Sequence, residues 1–309
     1  MFTLAHMSDP HLGPLPAVNA RQLASKRILG YLNWQGNRAK AFTSHYLESI
    51  VADVRAMAPD HIALCGDLVN LALPAEIINA AVWLRSLGSP QDVSLVPGNH
   101  DAYVPGAIRS ARQHWLPYML GDDAQSNTLE ELDGTPSFPY LRVRGDVAII
   151  GVSSAAATGP FMATGRIGKS QLERLAALLE TCEKQGLCRV VMLHHPPVKG
   201  ATPHHKRLVA SRRFAQVIAK YGAELILHGH THLDTQMQLP GPHGAVPVLC
   251  VPSASNGPGG HKPAAAYKLY HISKEENHWH CLMETRGIQD KKSGVTSLAK
   301  APLILPNSS

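Results

Sequence analysis

Five short apolar runs in this 309-residue chain each end in a turn built from Gly, Pro, Asp, Asn and His. Residues 2–7 lead into Ser8-Asp9-Pro10-His11, residues 61–65 into Gly66-Asp67, and residues 93–96 into Pro97-Gly98-Asn99-His100-Asp101. Residues 189–193 lead into His194-His195-Pro196-Pro197, and residues 225–228 into Gly229-His230-Thr231-His232. Runs this short, rich in Val, Ile and Leu and bounded by turn residues, read as buried strands. Any one of these turns has an ordinary explanation, such as a cap, a βα loop or a kinked strand exit. Five strands that each release metal-ligand side chains at the same end point instead to a sheet whose carboxyl edge gathers those loops into one site.

The segments between the strands support that architecture. Further strands are expected at residues 147–152, 246–251, 267–272 and 279–283. In residues 46–57 the apolar positions Leu47, Ile50, Val51 and Val54 keep the three-and-four spacing of a helix with one buried face, as do Leu172, Leu175, Leu178 and Leu179. Helices are also expected around residues 75–87, 107–119 and 208–221. Alternating strands and helices imply an α/β domain with helices on the sheet faces, ending in a strand-rich third. From Arg286 the chain turns polar and loses periodicity, so residues 286–309 read as a tail behind a domain of residues 1–285.

The ordered set D-x-H, G-D, G-N-H-D, H-H-P-P and G-H-T-H resembles the calcineurin-like metallophosphoesterase superfamily, over about residues 1–251. The resemblance implies a sandwich of two mixed β-sheets flanked by helices, with a binuclear metal site at the strand carboxyl ends. It assigns Asp67 as the carboxylate bridging two divalent cations, Asp9, His11 and His232 to one, and Asn99, His194 and His230 to the other. Between the adjacent histidines it favours His194 as ligand over His195, and it leaves His228 as a structural residue. Imidazole, carboxylate and amide ligands without thiolates suit Mn, Fe, Zn, Co or Ni. The reaction implied is attack of a metal-bound hydroxide on a phosphoester. His100 is expected to stabilise the transition state or protonate the leaving group, with Asp101 orienting it.

Substrate is less legible. Where many cyclic-nucleotide and glycerophosphodiester members carry Asp after the strand at 147–152, this chain has Ser153 and Ser154. A phosphodiester of that general kind is the first expectation. A UDP-2,3-diacylglucosamine pyrophosphatase of lipid A synthesis is the second, and a non-catalytic metal-binding scaffold the third. The second rests on an insertion at about residues 13–40, which follows D-x-H directly and is expected to overhang the metals, either as a segment packed on the domain or as a lid. It carries Arg21, Lys26, Arg27, Arg38 and Lys40 with no acid, and Tyr31 and Trp34 are candidate substrate contacts together with His195. Ile28, Leu29, Tyr31 and Leu32 would give it an apolar face for a lipid or membrane surface.

The net charge of +6 concentrates in two acid-free windows, one before Glu48 and one between Glu183 and Glu224, which suits a small anionic substrate. No nucleic-acid-binding motif accompanies it. Five cysteines without a C-x-x-C pair indicate no disulfide framework. That usage, no membrane-length apolar run and no signal-like start lead to a cytoplasmic expectation, with the membrane periphery allowed by the insertion.

Overall fold

The computed structural model describes residues 1–38, 44–122, 138–276 and 278–306. Its strands are β1 (Phe2–Met7), β2 (His61–Leu64), β3 (Val93–Leu95), β4 (Tyr140–Arg144), β5 (Val147–Gly151) and β6 (Cys188–Met192). They continue with β7 (Leu225–His228), β8 (Thr235–Gly241), β9 (Gly244–Cys250), β10 (Ala266–Glu275), β11 (His278–Ile288) and β12 (Val295–Leu303). The α-helices are α1 (Ala20–Leu23), α2 (Arg27–Asn33), α3 (Ser44–Met57), α4 (Pro74–Leu87), α5 (Ala107–Trp115), α6 (Lys169–Lys184) and α7 (Ser211–Tyr221).

The strands form two six-stranded mixed sheets, ordered β12-β11-β10-β1-β2-β3 and β4-β5-β6-β7-β9-β8. Within the first, β1, β2 and β3 are parallel, and the register sets Met7 beside Leu64 and Leu64 beside Leu95. The three strands therefore end level. In the second, β6 and β7 are parallel with Met192 beside Leu227, so their exits are level too.

Burial on both faces explains why these strands read as unbroken apolar runs. Val147, Ile149, Val190, Met192, Leu225 and Leu227 join the core shared with the first sheet. Their alternating neighbours Ala148, Ile150, Val191 and Ile226 pack with Leu172, Leu175 and Leu179 of α6 and Phe214 and Ile218 of α7. On the first sheet, the expected stripe of α3, Leu47, Ile50, Val51 and Val54, is buried. Each such side chain contributes about 1.5–3 kcal/mol by leaving water.

Three strands were not legible, namely β4, β8 and β12, and all three are edge strands. An edge strand with one face toward water needs no apolar run. In β4 the hidden signal is Arg142, buried with its guanidinium donating to the carbonyls of Leu120, Pro90, Val93 and Pro117. The expectation of a tail over residues 286–309 is corrected by the same reasoning. β11 continues to Ile288, and β12 pairs with it antiparallel while exposing most of its side chains. Leu303 and Leu305 then return to the core.

Candidate metal centre

The level strand ends bring Asp9, His11, Asp67, Asn99, His194, His230 and His232 to one place. In four overlapping triplets the ligand atoms lie within 4.8 Å of one another: Asp9/His11/His232, Asp9/Asp67/His194, His11/Asp67/His100 and His194/His195/His230. Asp67 is central, with Oδ2 3.9 Å from His11 Nε2 and 3.3 Å from His194 Nε2. On one side His232 Nε2 lies 3.0 Å from Asp9 Oδ1 and 3.3 Å from His11 Nε2. On the other, His194 Nε2 lies 3.3 Å from Asn99 Oδ1 and 3.2 Å from His230 Nδ1.

The backbone is bent to achieve this. Asp9, His11, Asp67, His230 and His232 all have positive φ, between 41° and 71°. Left-handed backbone at a non-glycine residue costs on the order of 1 kcal/mol or more, and persists where the surroundings over-determine it. Here main-chain bonds do so: Asp9 N–H donates to Gly66 O, His11 N–H to Asp67 O, and Gly229 N–H to His194 O. Two glycines are required by close approach. A Cβ on Gly98 would collide with the Asp67 carboxylate, and one on Gly229 with Ser8 Oγ.

Buried charge supplies the electrostatics. Asp9 and Asp67 are buried, and among the described residues their ion-pair partners are histidines alone. Burial opposes their ionisation, yet His232 beside Asp9 and His194 beside Asp67 hold both carboxyls well below the usual range. Burial likewise opposes a charge on His194, but the Asp67 and Asp9 carboxylates outweigh it and push the imidazole up to about 10. A position where two buried carboxylates stabilise a proton so strongly is one where they would stabilise a cation. Ring nitrogens of His11 and His232, and of His194 and His230, converge to 3.2–3.3 Å at the same place. The donor set thus fits two divalent metals.

Other residues of the centre depart from expectation. Asp101 does not serve to orient His100, because its carboxylate accepts from the main-chain N–H groups of Asp67, Gly98, Leu68 and Val69. It braces the Asp67 loop, and burial, with Asp67 nearby, pushes its pKa up to about 7. His100 Nδ1 instead donates to Asn70 O at 2.5 Å, and its own N–H donates to Asp67 Oδ1 at 2.7 Å. His195 is fully buried, with Nδ1 2.8 Å from Ser154 Oγ and Nε2 3.2 Å from Ala163 O. It is therefore not a substrate contact, and its ring packs 4.5 Å from that of His230. Burial lowers its pKa to about 3. His228 is also buried, with Nδ1 3.0 Å from Gly229 O, outside the donor cluster as expected.

Sequence reading missed the serines that hold the cluster. Ser8 Oγ donates to Asp9 Oδ2, Ser253 Oγ donates to Asp9 O, and Ser154 fixes His195. In the sequence Ser8 is one more turn residue and Ser154 a departure from the family pattern, because a lone serine in a loop carries no further signal.

The insertion meets the centre by a different route from the one expected. Tyr31 packs against the core and accepts from Gln35 through its hydroxyl, and Trp34 opens a π-helical turn, Trp34–Arg38. Lys26 makes the link. Its Nζ donates to Thr158 Oγ1 and Met162 O at 2.9 and 2.8 Å and lies 4.9 Å from the centroid of the Tyr103 ring. Tyr103 in turn stacks on His100 at 5.5 Å. Arg27 donates to Leu71 O and Ala72 O, while Lys40 lies outside the described residues.

An α/β sandwich that gathers His, Asp and Asn donors at the common carboxyl edge of two sheets is the scaffold of a binuclear metal centre. The chain belongs to the calcineurin-like phosphoesterase family, whose sequence profile matches residues 2–234. It is accordingly a hydrolase of phosphoric esters that works with two divalent metals. In fold it is similar to a dimetal phosphatase from Danio rerio, at 12% identity and TM-score 0.60, over 96% of this chain and 98% of that one. It is also similar to the purple acid phosphatase PPD1 of yellow lupin (Lupinus luteus), at 12% identity and TM-score 0.50, over 97% of this chain and 53% of that one. A third likeness is to the sulfate thiohydrolase SoxB of Thermus thermophilus, at 14% identity and TM-score 0.51, over 99% and 56% of the two chains. The chain thus spans about half the length of the last two. No protein of curated function matches the sequence.

Proposed function

We propose that this protein hydrolyses a phosphodiester at a centre in which Asp67 bridges two cations. Asp9, His11 and His232 complete the ligands of one, and Asn99, His194 and His230 those of the other. The observation that carries this reading is the position of Asp67 Oδ2, within 4 Å of both His11 Nε2 and His194 Nε2. Two divalent cations held there supply Lewis acidity at the phosphoryl oxygens and an activated water for in-line attack. His100 provides the proton chemistry. With the proton on Nδ1 directed to Asn70 O, Nε2 is the nitrogen that would donate to a leaving oxygen when the ring is charged. Asp101 and Asn70 hold the Asp67 loop and the His100 ring so that these groups need no rearrangement.

A diester is favoured over a monoester on charge. Among the described residues no Lys or Arg pairs with the buried carboxylates of the centre. With the cations and His100 as the groups proposed to meet the substrate phosphate, a monoanionic diester is our first choice over a dianionic monoester. A second reading, a pyrophosphatase of the UDP-2,3-diacylglucosamine type, is supported by exposed apolar side chains on both sides of the Lys26 contact. Ile28 and Leu32 of α2 are 49% and 59% exposed, and Phe161 is 81% exposed. Such groups beside a polar cleft suit an acyl chain or a membrane surface. No helix among the described residues is long and apolar enough to cross a membrane. Five free, buried cysteines suit the reducing compartment in which we place the protein.

The test is a panel assayed on metal-loaded protein: bis(p-nitrophenyl) phosphate, p-nitrophenyl phosphate and micellar UDP-2,3-diacylglucosamine. The diester is expected to exceed the monoester in kcat/KM by at least ~10-fold, about 1.4 kcal/mol. A faster monoester would overturn the diester reading, and a dominant lipid substrate would replace it by the second. Asp67→Asn is expected to lose both metal and turnover.

A further inference from the structure

The acid-free window between Glu183 and Glu224 is only partly used by the fold. Arg189 is buried between Glu224 and Glu183, but Arg212 and Arg213 in the first turn of α7 are exposed. With Arg166 they line a cavity of about 470 Å³ whose remaining walls are Ile167, Val209, Ala210 and Gln216. No carboxylate lines it. Among the described residues none of the three guanidinium groups has an ion-pair partner, so like charges share one concavity without compensation.

The local backbone separates this cavity from the metal centre. Residues 163–167 run beside residues 205–209, with Ala163 N–H donating to His205 O, Gly165 N–H to Arg207 O and Val209 N–H to Gly165 O. Gly165 lies against the His195 ring, where a Cβ would collide with it. Ile167 is buried in the core under α6 and α7. Arg166 itself is exposed, and neither His195 nor any of Asp9, His11, Asp67, Asn99, His194, His230 and His232 lines the cavity.

We propose that this cavity is a second anion site, built for a phosphate group carried on a small organic body. Guanidinium forks match pairs of phosphate oxygens and keep their charge at every physiological pH. A phosphate dianion would offer the three arginines a counter-charge that the ion pairs among the described residues do not supply. The start of α7, whose first turn holds no acidic residue, adds potential of the same sign. Ile167, Val209 and Ala210 offer an apolar wall to the carbon part of the ligand, and the volume lies in the range of small-molecule sites. An occupant would also brace residues 163–167, which carry the Ala163 carbonyl that accepts from His195. The site is independent of which ester the metal centre cleaves.

Equilibrium dialysis of inorganic phosphate against full-length, metal-loaded protein tests it. The expected result is two phosphates per chain, one of which is lost, or weakened by at least ~10-fold, in the double variant Arg212→Gln/Arg213→Gln. The single variant Arg166→Gln should weaken the same phosphate, which covers the case of a double variant that folds poorly. Both variants should keep turnover of bis(p-nitrophenyl) phosphate, while Asp67→Asn should lose the other phosphate. A second arm uses phosphatidylcholine vesicles with and without phosphatidate. Arginine-dependent binding to phosphatidate vesicles would make the phosphate a lipid headgroup, and its absence beside arginine-dependent phosphate binding would make the ligand soluble. A parent protein in which every bound phosphate survives the arginine variants would overturn the proposal, whereas a single phosphate that is lost with the arginines and kept in Asp67→Asn would support it and count only against phosphate binding at the metal centre.

Discussion

At the scale of single residues, adjacent positions in Asn99-His100-Asp101 have three separate tasks. Asn99 Oδ1 faces His194 Nε2 at 3.3 Å, His100 is tied by Nδ1 to Asn70 O, and Asp101 gathers main-chain amides under Asp67. Their variants should differ accordingly. His100→Ala is expected to lower kcat by ~10²–10⁴ with metal content near normal, as for a lost proton donor. Asn99→Ala is expected to lose about one metal per chain. Kinetics paired with elemental analysis checks both, and equal metal loss in the two would place His100 among the ligands.

At the scale of elements, α2 and the segment 158–162 approach from the two sides of the cleft and meet at Lys26. α2 also packs closely on Tyr103, since a Cβ on Gly30 would collide with the Tyr103 hydroxyl. Half-burial lowers the pKa of Lys26, and its bonds to Thr158 Oγ1 and Met162 O replace the water it gives up. Lys26→Met keeps the stem and removes those bonds, so α2 should separate more easily from the facing segment. The expected outcome is a KM for a large substrate raised ~3–10-fold, with bis(p-nitrophenyl) phosphate changed less than ~2-fold. Lys26→Arg should restore part of the loss. If both substrates keep their KM, the insertion is packing and not a lid.

At the scale of the whole molecule, β11 is tied to α3 by Arg286, which donates to both oxygens of Asp53 while Tyr267 donates to Asp53 as well. Burial opposes the charge on Asp53, but these bonds outweigh it and hold its carboxyl below the ordinary range. Glu284, which accepts from Arg286, is lowered for the same reason against the same opposition. A depressed folded pKa contributes stability that is present above the unfolded value near 4 and lost as pH falls through the folded value. Arg286→Gln should therefore cost about 1–3 kcal/mol at pH 7. The gap from the parent protein should narrow below about pH 4. Denaturant unfolding at a series of pH values measures this, and a gap independent of pH would assign the loss to packing.

The sequence by itself determined the buried strands, the helices with apolar stripes and the ligand-type residues at the strand exits. Local chemistry writes each of these into consecutive residues: two-face burial demands an unbroken run such as 147–151, and a strand exit at a site demands turn residues beside His and Asp. Tertiary structure decided what depends on distant partners. β12 is a strand only because β11 offers it a free edge, and Arg142 is buried only because four carbonyls from residues 90–120 converge on it. The same holds within the centre. His194 and His195 are equal as letters, and differ only because Asp67 faces one while Ser154 and Ala163 enclose the other.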